Sequence, residues 1–600
     1  MLSGQSKTHY RDFIARFSEA AQRDPNRIAL IANGGQLTYR QLHDRVLGCA
    51  AALDTLRQTS DAMLLCLPRG VPLIVAMIAC QRQGVPYIPI DFRTPAPRMR
   101  QMLDVSSATA VLHDTAGTPH PFIADLPVGT PQLDMAECSA APTCTPPPSA
   151  SHEAYRIFTS GSTGKPKMVR VTTRGCANLI DCFGELLGCD ANTSVLSSTS
   201  PGFDIFYLEY SLPLANGAAL TLADDVQAAS PQLLARLLEQ VHPAIYQSTP
   251  SLLKCLLPYL GASFRFDRLL VGGEPLGQAL SAEIHARAAR PYNMYGPTET
   301  TVWSTFQRID RPGEQRIGLP IQNTHVLVVD EHGSEVPLGV EGRILIGGDA
   351  VALGYLGNAA LTAEKFIASA DGRMIRYDTG DVGYIDREGC LNFVSRIGDF
   401  VKINGHRVDL QEIADTLEAL PFISEAAVIH TRDQCEIDSL FAFITLDPRH
   451  AIADPVELAH AHLHQCLPKY LWPRVLTVMD TLPRSSSGKL DRKALANLSP
   501  PQPVPFPVKW NAAPDSPEHV LTVLLSPYLN ASRLGEHDNF FAHGLTSMHA
   551  VSFHLSLADR WPRIELFHIF EYPTLSGLSR IVADLHCRAC TSQATRSDRS

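Results

Sequence analysis

Five segments of the chain hold residue types that could handle phosphates or hydroxyl groups, or that set a carboxylate at a turn or helix start. The first is Thr159 to Lys167, TSGSTGKPK, in which small hydroxyl-bearing residues stand beside two lysines. Such a loop can wrap a polyphosphate with backbone N–H groups and hydroxyls while Lys165 and Lys167 offset its charge. It differs from the common P-loop, which needs Gly-Lys followed by Ser or Thr, because Pro166 follows Lys165. Taken alone, the stretch also reads as a flexible surface loop. The second, Tyr292 to Thr300 (YNMYGPTET), combines aromatic residues, a Gly-Pro turn and Glu299. The third, Tyr377 to Asp381 (YDTGD), places a carboxylate after a turn, where it could accept hydrogen bonds from sugar hydroxyls. The fourth, Leu482 to Leu495 (LPRSSSGKLDRKAL), carries Lys489 at the tip of a Ser/Gly loop. The fifth, Gly202 to Leu220 (GFDIFYLEYSLPLANGAAL), sets Asp204 before an apolar run, where a helix cap is the plain reading.

Elements with strong patterns must position these residues. Over roughly the first 395 residues, short apolar strands alternate with helical stretches. Ala76–Gln83 reads as helix and Pro86–Ile90 as strand, Ala154–Thr159 as strand, and Gln232–Gln240 as helix before the strand Ala244–Gln247. That alternation predicts largely parallel sheets covered by helices. Four prolines within Ala141–Ala150 mark a surface loop just before the strand that leads into the first motif. A second block, Arg396 to Leu498, mixes strands (Glu425–Ile429, Leu440–Leu446) with helices. PQPVPFP, Pro501 to Pro507, reads as a stiff linker. Beyond it, Val520, Leu521, Leu524, Leu525 and Tyr528 fall at amphipathic-helix spacing within Pro517–Asn530.

Composition narrows the class. With 600 residues the chain exceeds one ordinary core, and 45% hydrophobic with 19% charged residues describes a soluble globular protein. A net charge of −10 argues against nucleic acid or an anionic membrane as partner. No apolar run is long enough to span a bilayer, and the N-terminal residues lack a signal-peptide pattern. The 14 cysteines show no CxxC pair, so reduced thiols and a cytoplasmic location are expected.

Together and in this order, the motifs resemble the adenylate-forming superfamily, specifically the adenylation domains of nonribosomal peptide synthetases. LTYRQL (Leu37 to Leu42), GGDAVALGYLGNAALTAEKF (Gly347 to Phe366) and LPKYLWP (Leu467 to Pro473) also match their places in that pattern. The resemblance implies an α/β large adenylate-forming N-terminal domain over 1–395 and a smaller α+β C-terminal subdomain over 396–498. A Pro-rich linker (499–515), an all-α four-helix carrier domain (516–584) and a disordered tail (585–600) would follow. Thr159, Ser160, Gly161, Ser162, Thr163, Gly164 and Lys165 would hold the phosphates of ATP, and Glu299 would bind Mg²⁺. Asn293, Tyr295, Gly296 and Thr298 would surround the nucleotide, with Asn293 and Tyr295 flanking the adenine. Asp381 would hold the ribose, with Arg396 nearby at the hinge. Lys489 would meet the substrate carboxylate and the attacked α-phosphate, stabilising charge that develops in the transition state. Rotation of the small block would withdraw Lys489 and bring the Lys402 face inward for thioester formation. Where the family pattern has a hinge aspartate this chain has Gly398, with Asp399 beside it. DNFFAHGLTSM, Asp538 to Met548, resembles the carrier motif in which Ser547 would bear 4′-phosphopantetheine, attached by a phosphopantetheinyl transferase. A plain helix cap is the competing role for that serine.

The resemblance also assigns a substrate pocket. Asp204 would pair with an α-ammonium group, and Ile205, Leu208, Gln247, Leu270, Gly272, Met294, Val302 and Trp303 would surround the α-carbon, with Lys489 at the carboxylate. This set has no second charge and little room, which points to glycine, with alanine next. An acyl-CoA or aryl-acid ligase of the same superfamily, and an inactive carrier scaffold, are the alternatives. No HHxxxDG condensation signature and no GxSxG elbow occurs in the chain. The expected role is a stand-alone loading module that passes a glycyl thioester to a condensation or tailoring enzyme.

Overall fold

The computed structural model describes residues 1–8, 11–57, 61–108, 110–116, 119–138, 152–159, 167–369, 372–396, 400–403, 406–432, 438–447, 449–450, 452, 454–483, 492–498, 516–525, 528–529, 535–541, 545, 547–558 and 560–583. The proline-rich loop at 141–150, the linker 499–515 and the tail 585–600 therefore lie outside the described residues. Contacts divide the chain into two compact units. One comprises Met1–Ala229, Leu233–Thr416 and Ala461–Leu471, and the other Ser230–Gln232, Leu417–His460 and Trp472–Ser600.

Two mainly parallel sheets organise the first unit. In a nine-stranded sheet, Ala288–Tyr295, Phe266–Gly272, Ile245–Ser248, Ser194–Ser197, Ala219–Leu222 and Ile28–Ala32 run parallel in that spatial order. Antiparallel strands close both edges, Thr305–Arg308 with Leu319–Pro320 on one side and Gly35–Thr38 on the other. A six-stranded sheet runs Gln132–Asp134, Ala110–His113, Met63–Cys66, Tyr87–Pro89, Glu153–Thr159 and Lys167–Thr172, parallel until its last pair. The strands are short, apolar and buried on both faces, as Met63–Cys66 is, which is what parallel strands covered by helices require.

Two helices between these sheets explain why both share one core. Val71–Arg82 buries every residue from Leu73 to Cys80, and Ile205–Asn216 buries every residue from Ile205 to Ala215. A helix apolar all round belongs in an interior layer. Gln81 Nε2 joins the pair by donating to Tyr210 Oη (2.8 Å), and the hydroxyl of Tyr87, on the strand Tyr87–Pro89, stands 2.9 Å from that of Tyr210. Pro213 falls in the last turn of its helix, where Tyr39 Oη donates to Ala218 O at 2.8 Å and Gly217 ends the helix at φ +77°.

A third sheet departs from the parallel expectation. Leu2–Ser3, Thr324–Val329, Gly342–Gly348, Ile375–Ile385, Phe366–Ala368 and Leu391–Arg396 are joined by antiparallel pairings throughout. Here turns at Gly333 (φ +82°) and Gly389 (φ +80°) return the chain between neighbouring antiparallel strands, while the connection from Gly348 to Phe366 carries the helix Ala359–Lys365. The first unit also extends past residue 395. The buried Arg98 guanidinium pairs with the buried Glu412 carboxylate, tying the helix Leu410–Glu418 to the helix Ala96–Ser106.

In the second unit, Ile423–Arg432 pairs antiparallel with Asp438–Leu446, which pairs parallel with Val475–Met479. Ala427, Ile429, Phe441, Phe443, Leu482 and Leu495 form the core over that sheet. Among residues 516–583 the described helices are Pro517–Leu525, Ser547–Ala558, Leu566–Glu571 and 575–583. Leu521, Leu525, Phe540, Leu545, Phe553, Leu557 and Ile569 are buried among them.

Candidate active site

Residues of the segments around Asp204 and Glu299 meet at the carboxyl ends of the parallel strands, the usual place for ligands in open α/β sheets. Gln247 is level with Leu270 on the neighbouring strand, and Gly272 is level with Met294 on the next. Beyond these strand ends a cavity is lined by Phe203, Asp204, Ile205, Gly273, Thr298, Glu299, Val302, Trp303 and Arg396, together with Gly296 and Pro297. Its volume is about 30 Å³, on a measure by which one water needs roughly 10–15 Å³. Leu208, Gln247, Leu270, Gly272 and Met294 are not on its surface; they are buried behind it.

Asp204 is 5% exposed at the head of the helix Ile205–Asn216. It has αR geometry (φ −62°, ψ −26°) and its side chain makes no capping hydrogen bond. The cap role considered for this residue is therefore not the one it has, since a capping side chain accepts from N2 or N3. The residue lines the cavity.

The segment Gly296 to Ser304 brings Glu299 and Trp303 to the same cavity. Thr301 (φ +58°) and Val302 (φ +66°) both adopt left-handed backbone, which is rare for β-branched residues. Their conformation is held by Trp303 N donating to Thr301 O (2.9 Å), Ser304 N to Tyr295 O (2.8 Å) and Thr301 Oγ1 to Ala350 O (2.6 Å). Glu299 is fully buried, and Tyr355 Oη donates to its Oε1 at 2.7 Å. Trp303 packs over Gly272, where a Cβ would stand 2.7 Å from the indole Cη2 and 2.5 Å from Met294 O. The indole Nε1 donates to Gln247 Oε1 at 2.8 Å.

Asp381 lies opposite Arg396 on paired strands. Tyr295 Oη donates to Asp381 Oδ2 at 2.7 Å, and Arg396 Nη1 stands 3.4 Å from Oδ1. Burial, reinforced by the Asp381 charge, pushes the Tyr295 phenol well above its ordinary pKa and keeps it a donor. Oδ1 is buried and accepts no hydrogen bond, so the carboxylate has capacity left for a ligand hydroxyl. Asn293 is committed elsewhere, its Nδ2 donating to Gln315 O (3.2 Å) and Arg316 O (2.8 Å). Thr159 ends its strand with Oγ1 buried and without a hydrogen-bond partner, an orphaned group where the sequence expects phosphate oxygens.

Several expected residues cannot be placed. Ser160, Gly161, Ser162, Thr163, Gly164 and Lys165, along with Gly398 and Lys489, lie outside the described residues. Lys402 is on the strand Phe400–Ile403 and Ser547 opens the helix Ser547–Ala558, but their side chains also lie outside. Among the described residues no cluster of three or more His, Cys, Asp or Glu could hold a metal ion, and no helix is long and apolar enough to cross a membrane. A Mg²⁺ bound mostly by phosphates asks only one or two carboxylates of the protein, a demand that Glu299 fits.

Two residues escaped the sequence reading. Tyr355 sits in the Gly-rich stretch after Gly347, with no charge to single it out. Glu209 is the lone charged residue in the apolar helix Ile205–Asn216, and that isolation was the available signal.

With this geometry in view, comparison with known proteins defines the class. The AMP-binding enzyme family model matches residues 17–356, and the chain belongs to that family. It is 33% identical over 593 residues to the dimodular nonribosomal peptide synthase of Bacillus subtilis (strain 168), covering 96% of this chain and 24% of that protein. Tyrocidine synthase 3 of Brevibacillus parabrevis is 32% identical over 590 residues, with 95% of this chain and 9% of that protein covered. The chain thus spans a quarter or less of the curated relatives named. Among solved structures, holo-PA1221, an NRPS protein containing adenylation and PCP domains bound to a vinylsulfonamide inhibitor, superposes with TM-score 0.79 at 27% identity, covering 95% of this chain and 96% of that one. Holo-AB3403, a four-domain nonribosomal peptide synthetase bound to AMP and glycine, gives TM-score 0.62 at 27% identity, covering 97% of this chain and 43% of that one. The fold is therefore the adenylate-forming α/β fold.

The packing at Gly272 is directly testable. Gly272→Ala forces Trp303 or the Met294 backbone to move and should destabilise the protein by about 1–3 kcal/mol. Chemical denaturation checks this, and an unchanged midpoint would contradict the contact.

Proposed function

We propose that this chain activates an amino acid as its adenylate and passes the aminoacyl group to a carrier thiol on Ser547 with release of AMP, glycine being the preferred substrate and alanine second. The observation that carries the reading is Asp204, a buried carboxylate on the wall of a small cavity. Once a substrate ammonium pairs with that carboxylate, removing the cation costs about 3–5 kcal/mol, so an acid lacking the amine is disfavoured. The cavity volume favours the smallest amino acid. The likeness to a synthetase solved with AMP and glycine is in keeping with this choice.

In this reading the substrate carboxylate attacks the α-phosphate of ATP in line, pyrophosphate leaves, and positioning supplies most of the rate. Thr159 and the segment Ser160 to Lys165 hold the phosphates, Asp381 accepts from the ribose hydroxyls, and Glu299 holds Mg²⁺, with Tyr355 fixing the carboxylate rotamer. Lys489 meets the charge developing at phosphorus. Mg²⁺ neutralises phosphate charge when bound. The start of a 12-residue helix suits Ser547 to a phosphodiester, because its free N–H groups favour negative charge; the attached 4′-phosphopantetheine supplies the thiol. A phosphopantetheinyl transferase and a condensation or tailoring enzyme are the implied partners.

Amino-acid-dependent ATP–pyrophosphate exchange across the twenty amino acids should be strongest with glycine, with alanine lower by about 10- to 200-fold. Exchange with a large residue and none with glycine would sink the substrate assignment. Ser547→Ala should abolish covalent loading while exchange persists, and loss of both would overturn the division of labour. Tyr355→Phe removes a hydrogen bond to the charged Glu299, so half-maximal exchange should need roughly 10-fold more Mg²⁺; an unchanged Mg²⁺ dependence would show that Tyr355 has no part in holding it.

A further inference from the structure

Behind the cavity wall a continuous chain of hydrogen bonds leads from Trp303 to a carboxylate that touches no ligand position. Trp303 is 1% exposed and its indole N–H can only donate. Gln247 Oε1 receives it at 2.8 Å. The other end of the same amide, Nε2, donates to Ile205 O (3.2 Å) and to Glu209 Oε1 (3.2 Å). Glu209, 2% exposed, also accepts from Ser197 Oγ (2.6 Å), Ser198 N (3.2 Å), Thr199 N (3.2 Å) and Thr199 Oγ1. Arg69, itself buried, adds positive charge beside the group and bonds Ser197 O at 2.9 Å. Every contact on the Glu209 carboxylate is a donor, so an acceptor-only group is required there.

We infer that Glu209 is a positioning residue that sets substrate size: it fixes which way the Gln247 amide faces, and so holds the Trp303 indole as the wall that admits the smallest side chain. The polarity is forced. Glu209 can only accept, so Gln247 must present Nε2 to it and Oε1 to the indole. With a second amide at position 209, keeping its oxygen on Ser198 N and Thr199 N, as those two backbone donors require, sets its NH₂ against the Gln247 NH₂ unless Gln247 turns over. Turning over sets an NH₂ against the indole N–H and takes the donor from Ile205 O. Either way a buried donor loses its partner, and the indole is the member of the chain with open space beside it. The inference rests on the amino-acid reading given above, and its test separates the two.

The experiment compares wild type, Glu209→Gln, Trp303→Phe and the double variant of the full chain, reading kcat/KM for glycine and alanine by pyrophosphate exchange. The double variant matters because the phenyl ring has no N–H, so the chain of bonds no longer reaches the wall. Glu209→Gln is expected to lower the glycine-to-alanine ratio by roughly 10-fold, mainly through KM for alanine, and to change it less than about 2-fold in the Trp303→Phe background. An unchanged ratio in a folded Glu209→Gln protein would overturn the proposal. So would an equal drop in both backgrounds, which is what a purely structural role gives. Should Glu209→Gln fail to fold, Ser197→Ala, which removes one donor to the same carboxylate, should lower the ratio in the same direction by a smaller factor. If wild type prefers another amino acid, the glycine assignment fails, and the ratio is read for that amino acid against its homologue one methylene larger. If no amino acid supports exchange, tryptophan emission decides. A red shift in Glu209→Gln that is absent in the Trp303→Phe background supports the relay, and no shift refutes it.

Discussion

The segment from Gly296 to Ser304 must turn sharply enough to present a carboxylate and an indole to one small cavity. Thr301 and Val302 achieve this in left-handed backbone, a conformation that costs of order 1–3 kcal/mol at each such residue. Surrounding contacts over-determine it. Backbone bonds pin both ends, Thr301 Oγ1 is held by Ala350 O, and Gly272 leaves the space into which Trp303 packs. Relaxing that turn would separate Glu299 from Trp303, and the cavity would lose two of its walls.

Around this turn the fold buries several carboxylates at one end of the parallel sheet, and their partners sort them. Glu209 is saturated by five donors besides the nearby Arg69, as a group of fixed structural charge must be. Burial pushes its pKa up while the hydroxyl donors and Arg69 oppose the shift. Asp381 is only half engaged, by Tyr295 and Arg396, and keeps accepting capacity. Leaving a buried charge incompletely satisfied is costly in an apolar interior, and Asp381 has room for one more donor. Asp204 differs from both, since it faces the cavity and does not cap the helix it precedes.

Much of the architecture was legible in the residue pattern, because short buried strands and all-apolar helices leave few alternatives. Ile245–Ser248 and Glu153–Thr159 fall within a residue or two of their expected bounds. The antiparallel sheet built from 324–396 was not anticipated, since its turns at Gly333 and Gly389 carry no helix and the one helix within it, Ala359–Lys365, does not make the regular alternation that made the parallel sheets readable. The membership of Leu410–Thr416 in the first unit was hidden too. Arg98 and Glu412 meet across 314 residues, and no local pattern announces such a pair.

Residue type and order alone marked the candidates for chemistry: the hydroxyl-rich lysine loop, the carboxylates at 204, 299 and 381, and the serine before an apolar helix are all local features. Only tertiary structure decided which of these side chains are spent on the protein itself. Asn293 is committed to carbonyls of a neighbouring loop, Tyr355 reaches Glu299, and Glu209 holds Gln247 and through it Trp303. Those commitments depend on distances between residues far apart in the chain. Hydrogen bonding is short-ranged and directional, so a linear pattern can list donors and acceptors but cannot pair them.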